Sequence, residues 1–522
     1  MMLFIKLLFV LISMHEILAD EVPCFSRQFD QDSVVCVCNS TYCDYAGIEG
    51  GGLLYTYFNA FVTTKDGLRL DRQLGSFDDQ IQPNKHVFHL GNDTRQTILG
   101  FGGAFTDAAT MTMNTLSPQA RANLINSYYG QNGIEYTMGR IPMASCDFSK
   151  RIYSYDDVEG DLELKEFALT EEDLLYKIPA IKDAMKVSKR NVTLFGSPWS
   201  SPYWMKTNNN MTGKGTIKDG PGGQYYKSWA KYFVKFLQAY KQQGLNMWGL
   251  TAQNEPSDGN IDAFPFQCLG FDAESQRNFI ANDLGPALEQ NGFGGVKLMI
   301  LDDERKFLPS WADVVLKDHF AAKYVSGIAV HWYDDMVVPP SALDDTYKQF
   351  GNDYFILNTE ACVQDLVNKS NTVLLGNWQR GERYFMDILQ DIEHGVSGWV
   401  DWNMALDMQG GPNWQNNLAD SPVIVNAQTD EFYKQPMFYA MGHFSKFARP
   451  GSKVISHSTN VTADSSLKAI FFTREDDSIA ANFVNTNDTE SFDITITDYR
   501  VPGYLNYEIP PKTFVTFIWY RI

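Results

Sequence analysis

Two glutamates stand in the same sequence setting, each shortly after a short apolar run. Glu255 follows residues 246–251, and Glu360 follows residues 354–359. Pro256 cannot donate to a β-ladder and disfavours helix at the residue before it, so the first run predicts a strand that ends at Glu255. Cleavage of a glycosidic bond requires such a pair, because one carboxyl protonates the leaving oxygen while the other attacks the sugar or activates water. A single glutamate at a strand end more often forms a surface ion pair with a basic residue. The occurrence of the same setting twice is what favours a catalytic role for the two glutamates.

Strand-like runs recur eight times in the middle of the chain, at residues 98–104, 136–143, 192–197, 246–251, 296–301, 325–332, 354–359 and 396–402. Amphipathic helices are expected between them, most clearly at residues 224–243 and also at 273–291, 310–324 and 374–394. Regular alternation of strand and helix predicts the α/β class, with a parallel (β/α)₈ TIM barrel over residues 96–450. A doubly wound open sheet is the alternative, but no Gly-x-Gly-x-x-Gly turn follows the first run.

Two β modules are expected beside the barrel. After about Pro450 the hydrophobic period becomes two, as where Ile494 and Ile496 alternate with threonines, which indicates an antiparallel β-sandwich. Residues 52–77 also have strand composition but lack partners nearby, so residues 51–95 and 451–522 are predicted to form one discontinuous sandwich. Residues 20–50 are predicted to form a small disulfide-bonded amino-terminal β module.

The first 19 residues have the lysine, apolar run and small terminal residue of a secretory signal peptide, and no later run is apolar enough to span a bilayer. The seven cysteines agree with an oxidising compartment. Four of them, Cys24, Cys36, Cys38 and Cys43, lie close together and predict two disulfides, with zinc as the competing interpretation. Spacing leaves the connectivity open, although it disfavours a bridge between Cys36 and Cys38. The other three, Cys146, Cys268 and Cys362, are expected to be buried free thiols.

A formal charge of −20 argues against nucleic acid as a partner and against unaided binding to an anionic membrane. It suits an acidic compartment, where protonation of carboxylates relieves self-repulsion. Candidate glycosylation sites are the seven Asn-X-Ser/Thr triplets headed by Asn39, Asn92, Asn191, Asn210, Asn368, Asn460 and Asn487.

Polar and aromatic residues follow the predicted barrel strands, where barrel enzymes place their active sites. They are Asp107, Arg140, Asp147, Trp199, Asn254, Glu255, Asp302, Asp303, His331, Tyr333, Glu360, Asp401 and Trp402. No His-Glu-x-x-His, Gly-x-Ser-x-Gly or phosphate-binding glycine loop occurs, and histidine is scarce. Carboxylate chemistry without a metal or cofactor is therefore the best-supported expectation.

Several long sequence blocks identify the chain with a known family, among them Phe101-Gly-Gly-Ala, Pro142-Met-Ala-Ser-Cys-Asp-Phe148, Ile328-Ala-Val-His-Trp-Tyr333 and Gly411-Pro-Asn-Trp414. It resembles the acid β-glucosylceramidases (glucocerebrosidases) of glycoside hydrolase family thirty over nearly all of the mature chain. The resemblance implies a barrel with two appended β modules and retaining hydrolysis. It also implies the disulfides Cys24–Cys36 and Cys38–Cys43.

The resemblance assigns roles to individual residues. Glu255 matches the acid/base and Glu360 the nucleophile. The positions that match the family's glucose pocket are Asp147, Trp199, Asn254, Trp402 and, as a further candidate, Asn417. Arg140, His331 and Tyr333 match supporting residues, and Phe266 resembles part of the wall on the aglycone side. The chain departs from the family pattern at Gln253, where glutamate is expected, and in the loop of residues 257–264.

The resemblance implies hydrolysis of glucosylceramide at a membrane surface in the lysosome, with secretion as the alternative destination. A saposin-like activator and anionic lipid are possible partners. Two alternative functions remain open. One is a related retaining β-glycosidase acting on galactose, xylose or glucan, and the other is an inactive glycolipid-binding protein on the same scaffold.

Overall fold

Eight parallel strands close into a barrel at the centre of the computed structural model, which describes residues 21–47, 54–82, 86–364 and 372–522. We number them β1 to β8 in chain order: Gly100–Ala104, Met138–Met143, Thr193–Pro198, Gly249–Thr251, Lys297–Glu304, Val325–His331, Phe355–Glu360 and Val396–Asp401. Each strand pairs in parallel with the next, and β8 closes the ring against β1. The predicted (β/α)₈ barrel is therefore confirmed, with strand ends moved by a few residues.

The barrel interior is a packed apolar cluster. Its buried members come from six different strands and are Met138, Phe195, Met299, Ala329, Leu357 and Val400. This layer fills the middle of the barrel, so the polar side chains at the carboxyl ends of the strands lie above tightly packed apolar side chains.

Helices surround the barrel. Their bounds are Asp107–Met113, Pro118–Tyr129, Ile178–Val187, Gln224–Gln242, Ala273–Phe279, Gly285–Gln290, Ser310–Leu316, His319–Ala322, Ser341–Phe350, Trp378–Glu393 and Pro436–Ser445. The predicted single helix over residues 310–324 is wrong, because it breaks after Leu316. The Asp318 carboxylate accepts from the amides of Phe320 and Ala321, which starts a new helix.

A nine-stranded sheet packs beside the barrel and combines strands from residues 57–97 with strands from residues 453–520. In spatial order its strands are Tyr504–Ile509, Phe492–Thr497, His86–Thr97, Lys453–Thr459, Leu467–Thr473, Ser478–Asn485, Thr513–Tyr520, Tyr57–Thr64 and Asp71–Ser76. The sheet encloses its own apolar cluster, which includes Phe58, Phe88, Phe471, Phe483 and Phe517. This is the β-sandwich of the fold.

A five-stranded sheet holds the amino-terminal segment. Its strands are Leu406–Asp407, Val423–Asn426, Glu431–Lys434, Val34–Cys38 and Ser26–Gln28. A two-stranded sheet pairs Glu21–Val22 with Tyr45–Ala46. The disulfides are Cys24–Cys36 and Cys38–Cys43, and the remaining cysteines are buried free thiols. Three strands of this module thus come from residues 406–434, which sequence patterns had not indicated.

None of the helices in the described parts of the chain combines the length and apolarity that a bilayer crossing requires. The predicted signal peptide and Asn368 lie outside those parts. Of the other glycosylation candidates, four are exposed, namely Asn92, Asn191, Asn210 and Asn460, while Asn39 and Asn487 are partly exposed.

Candidate active site

A pocket of about 540 Å³ opens at the carboxyl ends of the barrel strands. Eight of the predicted site residues line it: Asp147, Trp199, Glu255, Phe266, Tyr333, Glu360, Trp402 and Asn417. Arg140, Asn254 and His331 are buried behind this wall and hydrogen-bond to one another or to lining groups. The structure therefore brings all the residues named from the family resemblance to one place.

Glu255 is held by a backbone that continues the parallel pairing beyond the end of β4. The amide of Asn254 donates to the carbonyl of Pro198 at 3.0 Å, and the amide of Glu255 donates to the carbonyl of Asp302 at 2.8 Å. Glu255 itself has a φ of +39°, which side-chain-bearing residues rarely adopt. Strain of this kind persists only where neighbouring contacts fix it, and here it aims the carboxyl into the pocket.

Glu360 is the last residue of β7 and is held from two sides. Arg140 Nη1 donates to one of its oxygens, and the Tyr333 hydroxyl donates to the other at 2.7 Å. Arg140 Nη2 also donates to Asn254 Oδ1 at 2.8 Å and to Asp302 Oδ2 at 2.9 Å. Arg140 therefore ties the ends of four strands together beneath the pocket and stabilises the ionised form of Glu360.

The two glutamates are close together. One oxygen of Glu255, one oxygen of Glu360 and a ring nitrogen of His331 all lie within 4.8 Å of one another. Carboxyl groups about 5 to 5.5 Å apart are typical of retaining glycosidases, whereas inverting enzymes separate them by about 6.5 to 9.5 Å to admit water. The spacing therefore fits direct attack on the sugar by one of the two.

His331 connects Glu255 to the base of the site. Its Nδ1 lies 3.2 Å from Glu255 Oε1, and its Nε2 lies 3.1 Å from Asp302 Oδ1. Burial opposes a charge on the ring. The Glu360 charge and the hydrogen bonds with Asp302 and Glu255 outweigh burial and hold the pKa of His331 well above its usual value. A protonated His331 donates to both carboxylates at once.

A β-bulge in β5 places Asp302 under His331. Leu301 and Asp302 have φ values of +68° and +61°, and the pairing register shifts between Leu301 and Asp303. Such a bulge re-aims a side chain, here into the barrel. Asp302 also accepts from the hydroxyls of Thr251 and Thr359, each at 2.6 Å. Burial would raise the pKa of Asp302, but Arg140 and His331 hold it far below its usual value.

The two glutamates experience opposing influences. Burial is the largest influence on Glu360 and holds its pKa above the usual value, although the charges of His331 and Arg140 lower it in part. Burial also raises the pKa of Glu255, but the hydrogen bond and charge of His331 outweigh it and hold that pKa below its usual value. Glu255 is therefore a comparatively strong acid, protonated only under acidic conditions.

Aromatic rings and polar groups form the opposite wall. Trp199 and Trp402 stack with their centroids 4.9 Å apart, and the Arg140 guanidinium lies over both rings. Asn417 Nδ2 donates to Asp147 Oδ2 at 3.0 Å. Burial and the Glu360 charge raise the pKa of Asp147 to about 7, so it carries a proton under acidic conditions. A flat apolar face beside such donors and acceptors suits a sugar ring.

The structure explains why glutamine is accommodated at position 253. Gln253 Nε2 lies 3.0, 2.8 and 2.9 Å from the carbonyls of Pro198, Trp199 and Asn254. An amide nitrogen can donate to these acceptors, whereas a carboxyl group could do so only when protonated. Gln253 therefore supports the backbone next to Glu255 without adding a charge.

Asp107 and Asp401 are among the predicted strand-end residues that do not line the pocket. Asp107 accepts from Ser149 and Tyr153, and Asp401 accepts from Tyr384. Position at a strand end alone did not reveal which way these side chains point. Conversely, sequence reasoning missed several residues that line the pocket, namely Asp258, Phe264, Pro265, Glu304, Gln364, Gln415 and Asn416. Only Glu304 carried a usable signal, because it directly follows Asp302 and Asp303.

Comparison with known proteins assigns the chain to a family. A model described as the glycosyl hydrolase family 30 TIM-barrel domain matches residues 98–448, and one described as the family 30 beta sandwich domain matches residues 451–517. The chain belongs to glycoside hydrolase family 30. The sequence-based recognition of this family is thereby confirmed.

Similar members of the family cover almost the whole chain. Lysosomal acid glucosylceramidase from Mus musculus is 44% identical over 501 residues, covering 96% of each chain. Putative glucosylceramidase 4 from Caenorhabditis elegans is 42% identical over 509 residues, again 96% of each. The crystal structure of SrfJ from Salmonella typhimurium is 27% identical, with a TM-score of 0.79 over 89% of this chain and 100% of that one.

Proposed function

We propose that this protein is a retaining β-glucosidase that hydrolyses glucosylceramide to glucose and ceramide. The separation of the two glutamates carries the proposal, since their nearest oxygens lie within 4.8 Å of one another. The similarity to the mouse glucosylceramidase over 96% of the chain supports this substrate.

In the first step, ionised Glu360 attacks the anomeric carbon while protonated Glu255 gives its proton to the ceramide oxygen. The anomeric C–O bond breaks as the bond to Glu360 forms, which leaves a covalent glucosyl-enzyme and neutral ceramide. In the second step, ionised Glu255 takes a proton from water, and the resulting hydroxide attacks the same anomeric carbon and releases Glu360. Two inversions retain the configuration.

The hydrogen bonds to Glu360 support its role as the nucleophile. Arg140 and Tyr333 donate to Glu360, which favours the ionised nucleophile. Trp199 and Trp402 line the pocket and offer apolar surface to the glucose ring, and Asp147 and Asn417 offer hydrogen bonds to its hydroxyls. We expect Asn254, which matches the family's glucose pocket, to assist at the sugar 2-hydroxyl. The edge-to-face pair Phe264 and Phe266, 4.5 Å apart, lies on the side where an apolar aglycone would leave.

A membrane surface is the proposed source of substrate. Ile261, on the loop after β4, is 51% exposed, and Met336 and Val337, on the loop after β6, are 78% and 80% exposed. Exposed apolar side chains on two loops around one pocket are suited to contact with a lipid surface. Because the chain carries a charge of −20, attachment to anionic lipid would need low pH or a saposin-like activator. We propose the lysosome as its location, which the acidic charge and the similarity to the lysosomal mouse enzyme support.

The test is release of glucose from glucosylceramide in vesicles between pH 3 and 8, beside nitrophenyl glucoside, galactoside and xyloside. Glu255 must be protonated to act as the acid, and its pKa lies below the usual value. Activity should therefore fall as pH rises through that pKa, which gives an acidic optimum. A preference for another glycone would support a related β-glycosidase, and absence of turnover with every substrate would support a binding protein.

A further inference from the structure

Asp258 lies beside Glu255 in the pocket but was not among the residues expected there. Its amide donates to the carbonyl of Glu255 at 3.0 Å, which closes a tight turn through Pro256. A short 3₁₀-helix, Asp258–Asn260, begins at this residue. Both carboxyl groups therefore enter the pocket from one turn of backbone.

This turn is clamped to the neighbouring chain. The carbonyl of Gly259 accepts from the amide of Gly215 at 2.9 Å. A Cβ atom on Gly259 would lie 1.9 Å from the backbone nitrogen of Gly270, so only glycine fits there. Asn260 Nδ2 donates to the carbonyls of Pro256 and Phe271 at 3.3 and 3.2 Å. The position of Asp258 relative to Glu255 is thus fixed by backbone contacts on both sides.

The Asp258 and Glu255 carboxyl groups are neighbours in the pocket wall, and each shifts the pKa of the other. Two adjoining carboxyl groups can hydrogen-bond to each other only if one of them is protonated. His331 Nδ1 faces Glu255 at 3.2 Å and favours its ionised form, whereas Asp258 faces the negative charges of Glu255 and Asp303. Burial and the Glu255 charge raise the pKa of Asp258 to about 11. These influences favour a proton on Asp258 over a proton on Glu255.

Other titratable groups surround the pair. Burial, with the Glu255 charge, raises the pKa of Asp303 to about 6, while burial raises that of Glu304 to about 8. Burial also raises the pKa of the Cys268 thiol to about 11, and Lys206 faces that thiol from behind. Asp302 acts on Glu255 through His331. The charges of Arg140 and Glu360 also act on Glu255. Among these groups, His331 is the cation that contacts Glu255, and it reinforces ionisation of Glu255 rather than of Asp258.

We propose that Asp258 is a positioning residue for the acid/base, which stays protonated and donates a hydrogen bond from its carboxyl group to Glu255. The inference rests on the acid/base role proposed for Glu255. A donor stabilises the ionised form of its acceptor, so Asp258 makes Glu255 a stronger acid. It also keeps the Glu255 carboxylate in place for the second step, when that group must take a proton from water.

The test is the pH dependence of kcat/KM for glucosylceramide in Asp258→Asn and Asp258→Ala. Asparagine keeps a neutral hydrogen-bond donor of the same shape. The fall of kcat/KM on the alkaline side of the pH profile (the alkaline limb) should therefore occur at nearly the same pH as in the wild type. Alanine removes the donor, the pKa of Glu255 rises, and the limb should move up by about one pH unit, as a hydrogen bond to a charged group implies. Asp262→Asn is the matched control on the same loop, because Asp262 is exposed and pairs with Lys214.

Two outcomes would overturn the proposal. If Asp258→Asn moves the limb to lower pH, then Asp258 is ionised in the working enzyme, since removing a negative charge has that sign. If Asp258→Ala leaves the limb in place, then Asp258 does not act on Glu255.

If the alanine variant does not fold, an infrared difference spectrum between wild type and Asp258→Asn near neutral pH tests the protonation of Asp258. Loss of a protonated carboxyl stretch is expected, and loss of a carboxylate stretch would contradict the proposal. This readout needs no turnover. Failure of the acid/base assignment would instead appear as an unchanged alkaline limb in Glu255→Gln while the Asp258 band persists.

Discussion

His331 in the barrel mouth and His443 between barrel and sandwich are both fully buried, but they meet different partners. His331 lies between the carboxylates of Glu255 and Asp302. His443 lies between two hydroxyls, with Nδ1 2.8 Å from Thr516 Oγ1 and Nε2 2.9 Å from Thr63 Oγ1. The pKa of His331 is raised well above its usual value, whereas burial lowers the pKa of His443 to about 3.

Equal burial thus accompanies opposite charge states. Loss of water disfavours a cation in either place, and only the carboxylates of the mouth offset that cost. Hydroxyls satisfy the ring nitrogens of His443 without compensating a charge, so this histidine joins the two domains as a neutral group. We expect the charged groups of the mouth to serve catalysis, and the neutral hydrogen bonds of the domain interface to serve stability.

Replacement of Glu360 should have the largest effect. Glu360→Ala removes the nucleophile, so activity towards glucosylceramide and nitrophenyl glucoside should fall together, on the order of 10⁵-fold. The melting temperature should not fall, because a buried carboxyl group is removed while Arg140 keeps Asp302 and Asn254 as partners. Initial rates and thermal melts measure both. A stable variant with normal turnover would refute the assignment, and a large loss of stability would show that mouth charges are structural.

Glu255→Ala should be selective between substrates. Ceramide leaves poorly without a proton, whereas a nitrophenol leaves largely unaided, so the first step should slow by about 10²- to 10⁴-fold for glucosylceramide and much less for the nitrophenyl glucoside. Pre-steady-state release of nitrophenol isolates that step from slow deglucosylation.

Azide distinguishes the two glutamates by the anomer that it forms. In Glu255→Ala it should capture the covalent intermediate and give the β-glucosyl azide, whereas rescue of Glu360→Ala should proceed by direct displacement and give the α anomer. Proton NMR assigns the products. The reverse pattern would mean that the two roles are exchanged.

Exchange of each histidine for glutamine compares the two regions directly. His331→Gln leaves Glu255 and Asp302 without their shared cation, so activity should fall by about 10²-fold through misplacement of the acid. His443→Gln should keep activity close to that of wild type and lower the free energy of unfolding by about 1 to 3 kcal/mol. Initial rates at pH 5 and urea titrations at pH 7, where His443 is neutral in both states, give the two quantities. Equal loss of activity in the two variants would contradict the division between mouth and interface.

The pH dependence of stability should have opposite sign for the two histidines. The pKa of His443 is about 3 in the folded protein and about 6.5 when unfolded, so between these values the unfolded chain binds the extra proton and stability rises with pH. Its burial should therefore cost roughly 2 kcal/mol at pH 5 relative to pH 7. His331 has a raised pKa, so its contribution is present below pH 6.5 and is lost as pH rises through the folded value.

Urea unfolding of wild type and His443→Gln at both pH values tests this smallest effect. The stability difference between them should shrink on acidification by that amount, and a constant difference would show that His443 is protonated in the folded state.

The barrel and the glutamate pair could be predicted from sequence because each depends on local pattern. A barrel strand buried on both faces reads as an apolar run, and the polar residue that ends it marks the mouth. Asp107 and Asp401 follow the same pattern but turn away from the pocket, because side-chain direction depends on contacts such as those with Ser149, Tyr153 and Tyr384.

Other features had no local signature. The strand Leu406–Asp407 is two residues long, and Val423–Asn426 and Glu431–Lys434 are four residues each, too short for periodicity to indicate a sheet. Their partner strand, Val34–Cys38, lies far away in sequence. Asp258 sits in a loop, where its closeness to Glu255 follows from a clamped turn rather than from any repeat.

Pairing between distant strands constrains the order in which the molecule can assemble. Val34–Cys38 pairs with Glu431–Lys434, and Tyr57–Thr64 pairs with Thr513–Tyr520, with Thr64 opposite Thr513. During synthesis the amino-terminal strands emerge first, but their partners arrive near the end of translation. Until then each of these strands has one unpaired edge, which is accessible to chaperones and other nascent chains. The cysteines of Val34–Cys38 are accessible to oxidants during the same period. The last strand to be synthesised, Thr513–Tyr520, is thus the one that joins the early strand Tyr57–Thr64 to the rest of the sheet.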